Sequence, residues 1–523
     1  MGSRLISVTS PFDEQSDPKL KEIWGNALAI QDYPWGLESV GWQGAWDFAV
    51  SPYAVLAESA QDIAATVKFA KENEIKLSIK GTGHDYLGRS NGSCDSLLLW
   101  THMMRDLSMK EVFVPKGAPA TEKGVQAITI GAGCRWIEVY REVMVNQGRY
   151  VQGGGCTSVG AAGGFLQGGG FGSFSKKYGI AAASLLEAEI VTANGEIVTA
   201  NAFQNQDLFW ALKGGGGATF GIVSKVTLQT HSLPHYFGIV KGKVIAKTDS
   251  AFEQFIEEFI HFYREKLNNE HWGEQVTFKP DNSCDIDMLF QGLDQNEAEQ
   301  TWRCLKSWVE GRLNFYTIEL ECIAVPARDF WSYNYLREHF PKAVIPYQGG
   351  KEGLFYWAGD QSQVMAYWHT MQSCWIPLSL FSKEKAVHFA QELFKASREW
   401  EFALHFNKGM AGAAEDAAAR SKNCSMNPAV HEAAALAVFG SYVTGIESDK
   451  TKGLEVRKKV NAAVQIIRAV TGSEAAYSNE ADYFQENWQE AFWGGHYPRL
   501  LEIKKKYDPE NFFRTHHSVG SEL

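Results

Sequence analysis

Glycine crowds one short stretch of this chain. Of its 49 glycines, 17 fall between Gly153 and Gly221, a span of 69 residues in 523. They gather in three runs, 153–164, 168–172 and 213–221. Each glycine inside a helix or strand costs about 1 kcal/mol relative to alanine, so such runs are poor material for regular elements. They suit a flat or charged ligand lying against bare backbone. The run 168–172 lacks the GxGxxG spacing and the following acidic residue of a nicotinamide-dinucleotide site, which makes that class a poor match.

Composition narrows the partners. Lys plus Arg total 50 against 61 Asp plus Glu, a formal net charge of -11. A nucleic-acid or anionic-membrane binder needs a basic face, so neither is expected. No apolar run approaches the ~18 residues of a membrane span. Residues 1–16 hold no signal-peptide core, which points to a cytoplasmic chain or the mature form of a secreted one. The eight cysteines include no CxxC pair, so zinc ribbons and thioredoxin-like motifs are unsupported, and no metal site is expected. There is no GxxxxGK[ST], HExxH or GxSxG. The length fits two or three domains.

The first half reads as α/β with short strands. A turn-rich N-terminal wrap covers residues 1–45, and periodicity predicts a helix over 53–73. Strands are expected at 75–79, 96–100, 125–131, 185–191, 196–199 and 221–230, with a helix at 136–147. After Pro234 the glycine runs stop. Strands at 236–246, 275–279, 283–291, 314–325 and 401–408 alternate with helices at 250–266 and 296–311, as in a sheet covered by helices. A domain boundary is placed there, giving 1–234, 235–472 and a C-terminal segment 473–523.

Chemistry concentrates in two of the glycine-bearing loops. Lys80-Gly81-Thr82-Gly83-His84-Asp85-Tyr86 follows a strand, and its glycines let successive N–H groups converge on an anion such as a phosphate. Cys156 sits inside Gly153-Gly154-Gly155-Cys156-Thr157. Taken singly, His84 reads as a turn histidine and Cys156 as a small buried thiol. Together they ask for a more specific explanation.

Gly81-Thr-Gly-His-Asp-Tyr86, Gly153-Gly-Gly-Cys156 and Tyr507-Asp-Pro-Glu-Asn-Phe512, in that order, resemble the berberine bridge enzyme-like group of the vanillyl-alcohol oxidase/para-cresol methylhydroxylase superfamily. The resemblance implies an α+β fold: a two-part FAD-binding domain plus a substrate domain with a large antiparallel sheet covered by helices. It implies FAD bonded twice, through His84 to the 8α-methyl carbon and through Cys156 to ring carbon C6. Imidazole and thiolate are nucleophiles and the flavin ring is electron-poor, so the chemistry is reasonable. Lys80–Gly83, with Gly153–Gly155, Thr157, Gly160, Gly163 and Gly164, would cradle the pyrophosphate and ribityl chain. The stretch 185–191 with Gly217, Gly221, Ile222 and Val223 would flank the adenine side, and Asn511 would reach the flavin from the tail. Val159, three residues after the linking cysteine, resembles the version that admits oxygen.

The implied activity is that of an oxidase. Hydride would pass from an alcohol, sugar or phenolic substrate to flavin N5 and then to O2, giving H2O2. The catalytic base is less clear. Tyr477-Ser-Asn-Glu480 matches the family's Tyr-x-Asn-Tyr except at its last residue, where Glu480 replaces a tyrosine. Glu480, Tyr477 or His405 would then be the base. Strand alternation puts His405 and Asn407 on one face. Between Phe330 and Trp375, 12 of 46 residues are aromatic, which suits core packing or stacking on a substrate ring. Two other readings keep the flavin: a tailoring enzyme of secondary metabolism, performing cyclisation or desaturation, and a flavin-holding protein without catalysis.

Overall fold

The computed structural model describes residues 4–11, 23–347, 350, 352–444 and 452–523. Positions 1–3 and 12–22 of the expected N-terminal wrap lie outside the described residues.

Three larger sheets position everything else. In the first, Leu5–Ser7, Tyr53–Leu56, Ser96–Trp100 and Lys76–Lys80 lie side by side, the last three parallel. Helix Ala60–Glu72 makes the crossover from Tyr53–Leu56 to the parallel strand Lys76–Lys80, and Ser96–Trp100 lies between the two. The single helix expected over 53–73 is therefore a strand followed by a helix. Ser59 marks the break. Its hydroxyl accepts the Asp62 N–H at 3.2 Å and donates to the Asp62 carboxylate at 2.7 Å, capping the helix start. Ser96–Trp100 is buried at every position, as befits a strand covered on both faces.

The second sheet is antiparallel, in the order Ile197–Asn201, Leu185–Val191, Ile222–Gln229, Val125–Gly131 and Leu107–Phe113. The helix expected at 136–147 is α-helical over Trp136–Tyr140 and closes in a π-helical turn, Arg141–Asn146.

The third sheet has nine strands: Tyr316–Pro326, Tyr236–Ala246, Ser283–Gln291, Trp272–Phe278, Phe402–His405, Ala433–Thr444, Ala366–Pro377, Ser39–Trp42 and Trp46–Asp47. One face packs on helices Asp249–Phe262, Gln295–Glu310, Ala386–Glu399 and Gly453–Thr471. Phe252, Phe255, Ile256 and Phe259 are fully buried there, each worth about 1.5–3 kcal/mol of transfer free energy. Ser39–Trp42 comes from the N-terminal stretch and pairs in parallel with Ala366–Pro377. This addition fixes the backbone beside Glu38.

The tail folds back onto the last glycine run. Helix Tyr497–Tyr507 carries Lys504, whose buried ammonium donates to the Thr219 and Phe513 carbonyls and to Asp508 at 2.6–2.8 Å. The Trp493 indole donates to the Gly214 carbonyl at 2.9 Å. The fold is thus α+β with a large helix-covered antiparallel sheet, as expected.

Candidate active site

A cavity of about 890 Å³ lies between the glycine-bearing loops and the inner face of the nine-stranded sheet. Gly81, Thr82, Gly83, His84, Asp85 and Tyr86 line one wall, with Gly154, Gly155, Cys156, Val159, Gly160, Gly163 and Gly164. Gly217, Gly221, Ile222 and Val223 continue it. Gly83 is held at φ +81°, and an added Cβ would meet Leu37 at 2.9 Å and the Gly36 carbonyl at 3.0 Å, so no other residue fits. The next residue, His84, is thereby turned into the cavity.

His84 and Cys156 are 72 positions apart in the chain, yet His84 Nε2 lies 3.6 Å from Cys156 Sγ. Burial pushes the imidazole pKa down to about 4, with Asp85 opposing, so it is neutral. Burial also pushes the Cys156 thiol well up, with Asp360 and Glu38 adding to the rise and Ser158 opposing it. The Ser158 hydroxyl lies 3.3 Å from the sulfur. Asp85 accepts from Arg89 at 2.5–2.7 Å, and Arg89 reaches Asn479 at 3.4 Å, which fixes this end of the loop.

The residues of this wall fit a dinucleotide. A Cβ at Gly163 or Gly164 would meet nothing within 4 Å, and one at Gly81 or Gly155 nothing nearer than 3.5 Å. Their backbone is bare toward the cavity. The crowding of glycine has a second cause too. A Cβ at Gly153 would strike the Trp136 ring at 2.4 Å, one at Gly172 the Gly153 carbonyl at 1.9 Å, and one at Gly169 the Met426 sulfur at 2.0 Å. These glycines allow close backbone packing and do not line the cavity.

Several expected contacts are corrected. Lys80 ends its strand pointing opposite to Ile79, which lines the cavity. Its ammonium donates to the carbonyls of Tyr33, Pro34 and Gly36 at 2.6–3.0 Å. Thr157 is buried and donates to the Phe355 carbonyl at 3.1 Å. Gly153 faces Trp136, and the strand Leu185–Val191 does not itself line the cavity but pairs with the lining residues Ile222 and Val223. Asn511 is a tail turn residue at φ +53° that donates to the Gly520 carbonyl at 2.8 Å. The conspicuous Asp508 beside it accepts the N–H groups of Phe512 and Phe513 at 2.8 Å. The tail motif is a clamp.

The opposite wall is built from side chains. His405, Asn407, Tyr477 and Glu480 all line it. The strand expected over 401–408 is regular only at Phe402–His405 and continues as a 3-10 turn, Phe406–Lys408. Phe402, Leu404 and Phe406 still enter the helix-covered core, while His405 and Asn407 face the cavity. Burial holds His405 well below its usual pKa, aided by Lys408. Tyr477 is a buried phenol, pushed up by burial and by Glu480. Its oxygen accepts from Asn479 at 3.0 Å, and its ring meets Phe171 edge-on. Glu480 is gripped by Lys408, whose ammonium reaches both carboxylate oxygens at 2.5–2.6 Å.

Sequence reasoning missed four groups: Glu274, Lys408, Glu38 and Asp360. Glu274 sits in strand Trp272–Phe278 at φ +67°, a backbone strain of the kind found at functional sites. The Ser173 hydroxyl donates to its Oε1 at 2.5 Å and the Asn407 amide at 3.2 Å. Burial raises its pKa, partly offset by Ser173 and Lys408. Its closeness to Gly155 puts it beside Cys156: a Cβ there would lie 3.6 Å from Oε1. Glu38 and Asp360 flank His84 and Cys156. An acid inside Trp35-Gly-Leu-Glu-Ser-Val40, an otherwise apolar run, was a signal available in the sequence.

A bare-backbone wall that carries two nucleophiles defines a class, the proteins that hold a flavin dinucleotide against a loop-lined wall. The comparisons with known proteins agree. An FAD binding domain family model matches residues 51–201, and a Berberine and berberine like model matches 476–520. The VAO-type flavoprotein oxidase VAO615 of Thermothelomyces thermophilus is 31% identical over 90% of this chain and 76% of its own length. The FAD-linked oxidoreductase easE of Aspergillus fumigatus is 30% identical over 90% of this chain and 71% of its own. The crystal structure of the VAO-type flavoprotein MtVAO615 from Myceliophthora thermophila matches with a TM-score of 0.80 at 25% identity, covering 99% of this chain and 93% of that one. A glucooligosaccharide oxidase from Acremonium strictum, whose FAD is 6-S-cysteinyl and 8α-N1-histidyl, shares the fold at TM-score 0.72 and 20% identity, over 93% and 95% of the two chains. The chain belongs to the berberine bridge enzyme-like group of VAO-type proteins and is an FAD-linked oxidoreductase.

Proposed function

We propose that the chain is an oxidase carrying FAD bonded to both His84 and Cys156, acting on a small ring-bearing alcohol or phenol. The observation that carries this is the 3.6 Å approach of His84 Nε2 to Cys156 Sγ on one cavity wall. When bound, FAD supplies a two-electron acceptor that takes hydride and hands the electrons to O2, giving H2O2.

The chain's own residues do the rest. Glu274, with Ser173 and Asn407 holding one carboxylate oxygen, takes the substrate hydroxyl proton; a carboxylate of raised pKa beside the ring site suits that work. Glu480 is a weaker candidate, because both its oxygens are occupied by Lys408. Tyr477 keeps its proton and offers a hydrogen bond to the substrate oxygen. His405, neutral, lines the same wall. Val159 faces the cavity beside Cys156, where it sets room for oxygen.

One group of cavity residues favours an apolar ring. Phe330, Trp331, Phe340 and Trp357 line the cavity with Leu336, Ile323 and Val325, alongside the polar Lys241, Asp287 and Lys342. A sugar chain needs polar partners along its length, whereas these faces suit stacking on a planar ring. This feature supports the tailoring reading over sugar oxidation.

Acid precipitation tests the linkage. His84→Ala and Cys156→Ala should each leave the pellet yellow, and only the double variant should release all flavin. A colourless wild-type pellet would overturn the double bond. Peroxide release on oligosaccharides, with none on phenolic or polycyclic alcohols, would overturn the substrate class.

A further inference from the structure

Two acids, Glu38 buried and Asp360 half-buried, stand beside the two nucleophiles, and substrate chemistry uses neither. Glu38 is 1% exposed, and neither of its carboxyl oxygens has a hydrogen-bond partner. Its Oε1 lies 3.7 Å from His84 Nε2. Asp360, on the cavity wall, lies against the Cys156 thiol, and its Oδ2 is buried without a partner. Buried carboxyl oxygens without partners destabilise a fold, so three of them at one spot, both of Glu38 and one of Asp360, call for a use.

We propose that Glu38 and Asp360 are the proton acceptors of the chain's own covalent loading, Glu38 serving His84 and Asp360 serving Cys156. This rests on the reading of both residues as covalent anchors. Each nucleophile carries a proton it must lose. With its proton on Nε2 toward Glu38, His84 has a free lone pair on Nδ1. Nδ1 bonds the 8α carbon, that carbon releases a proton, and the Nε2 proton passes to the Glu38 carboxylate. Cys156 Sγ bonds ring carbon C6, C6 releases its proton, and the thiol proton passes to Asp360. Each bond leaves two electrons on the ring system. O2 accepts them, so loading consumes two O2 and yields two H2O2 per chain. His84 itself is a poor acceptor for the thiol proton, since burial keeps it neutral down to about pH 4.

The two acids differ in readiness. Burial, with Asp360 adding to it, raises Glu38 to about 8. Burial raises Asp360 only to about 6, because the Cys156 thiol pulls it back. The titratable groups facing Glu38 are His84, Asp360, Cys156, Tyr86 and Tyr356. Formation of the His84 bond should therefore quicken as pH rises toward 8, while the Cys156 bond is less sensitive above about 6.

The test uses full-length protein purified with its flavin, acid precipitation, and peptide masses around His84 and Cys156. In Glu38→Gln the fraction of chains bonded at His84 should fall about tenfold or more, a smaller change than the ~10²–10⁴-fold loss of rate for a removed general base, because slow residual attack accumulates product before purification. The Cys156 bond should persist, which also shows the variant is folded. Asp360→Asn should do the reverse. Glu38→Asp should restore part of the His84 bond, with its pH profile shifted. Both bonds at wild-type level in both amide variants would overturn the proposal and leave the anchor reading intact. Loss of both bonds and of all bound FAD in each variant would overturn it too, by showing a structural role. A wild type lacking either bond would overturn the anchor reading, and this proposal with it.

Discussion

The two walls of the cavity are made in opposite ways. One is backbone: Gly81, Gly155, Gly163 and Gly164 present main chain to the space between the sheets. The other is side chain: Glu274, His405, Asn407, Tyr477 and Glu480 converge from segments far apart in the sequence. A backbone wall is written locally, in consecutive glycines, and any ligand with a long anionic or planar body can lie on it. A side-chain wall is written in strand register and can change its chemistry one residue at a time. The holding function and the reaction are thus encoded separately. If that division is right, Glu274→Gln should leave flavin content unchanged and lower kcat by about 10²–10⁴-fold, the range for a lost general base. A flavin-loss phenotype, or a kcat within a few-fold of wild type, would break the division at its strongest point.

The boundary between the walls has its own signature in pH. Glu38 sits behind the backbone wall with a pKa raised from 4.5 to about 8 by burial. Between those values the folded chain holds a proton that the unfolded chain has released. Stability from this group is complete below about pH 4.5 and is lost as pH rises through about 8. The melting temperature of the wild type should therefore drop relative to Glu38→Gln between pH 5 and 9, by thermal denaturation. Parallel curves for the two proteins would show Glu38 ionised throughout.

Within the backbone wall, two glycines that look alike in sequence should behave differently. At Gly153 an added methyl strikes the Trp136 ring at 2.4 Å, so Gly153→Ala should destabilise by about 1–3 kcal/mol, the usual effect of overpacking. At Gly163 it meets nothing within 4 Å, so Gly163→Ala should keep its melting temperature and lower the fraction of chains loaded with FAD instead. Chemical denaturation and flavin absorbance separate the two. Equal behaviour would mean the glycine runs have one cause rather than two.

The same contrast explains what could be read from the sequence. Strands Ser96–Trp100, Val125–Gly131, Leu185–Val191, Tyr236–Ala246 and Ser283–Gln291 have the bounds their apolar patterning predicts. The stretch 53–73 misled because Tyr53-Ala-Val-Leu56 continues an apolar spacing into the helix, and only the Ser59 cap divides them. That His84 and Cys156 line one cavity was legible because each sits in a glycine loop. Lys80 was misplaced because one step along a strand reverses a side chain. Asn511 belongs to a tail motif whose conspicuous residues hold the tail in place. Glu38, Asp360 and Glu274 carry no local mark of their partners. Their placement at the site arises from sheet pairing, such as Ser39–Trp42 against Ala366–Pro377, which sequence patterning does not specify.

The smallest effect is the one that best isolates the base. Glu480 stands where relatives have a tyrosine, so it invites the role proposed for Glu274. Its carboxylate already spends both oxygens on Lys408, and the pair is partly open to the cavity, with side chains 19% and 12% exposed. Replacing both partners by neutral groups of similar shape removes the pair without stranding a charge. The double variant Glu480→Gln/Lys408→Met should therefore change kcat by no more than about fivefold, about 1 kcal/mol, in the range of a partly exposed ion pair. Steady-state rates with saturating substrate and O2 decide it. A loss of about 10³-fold in this variant, with Glu274→Gln near wild type, would move the proton transfer to Glu480 and make the tyrosine replacement a change of base rather than a loss of one.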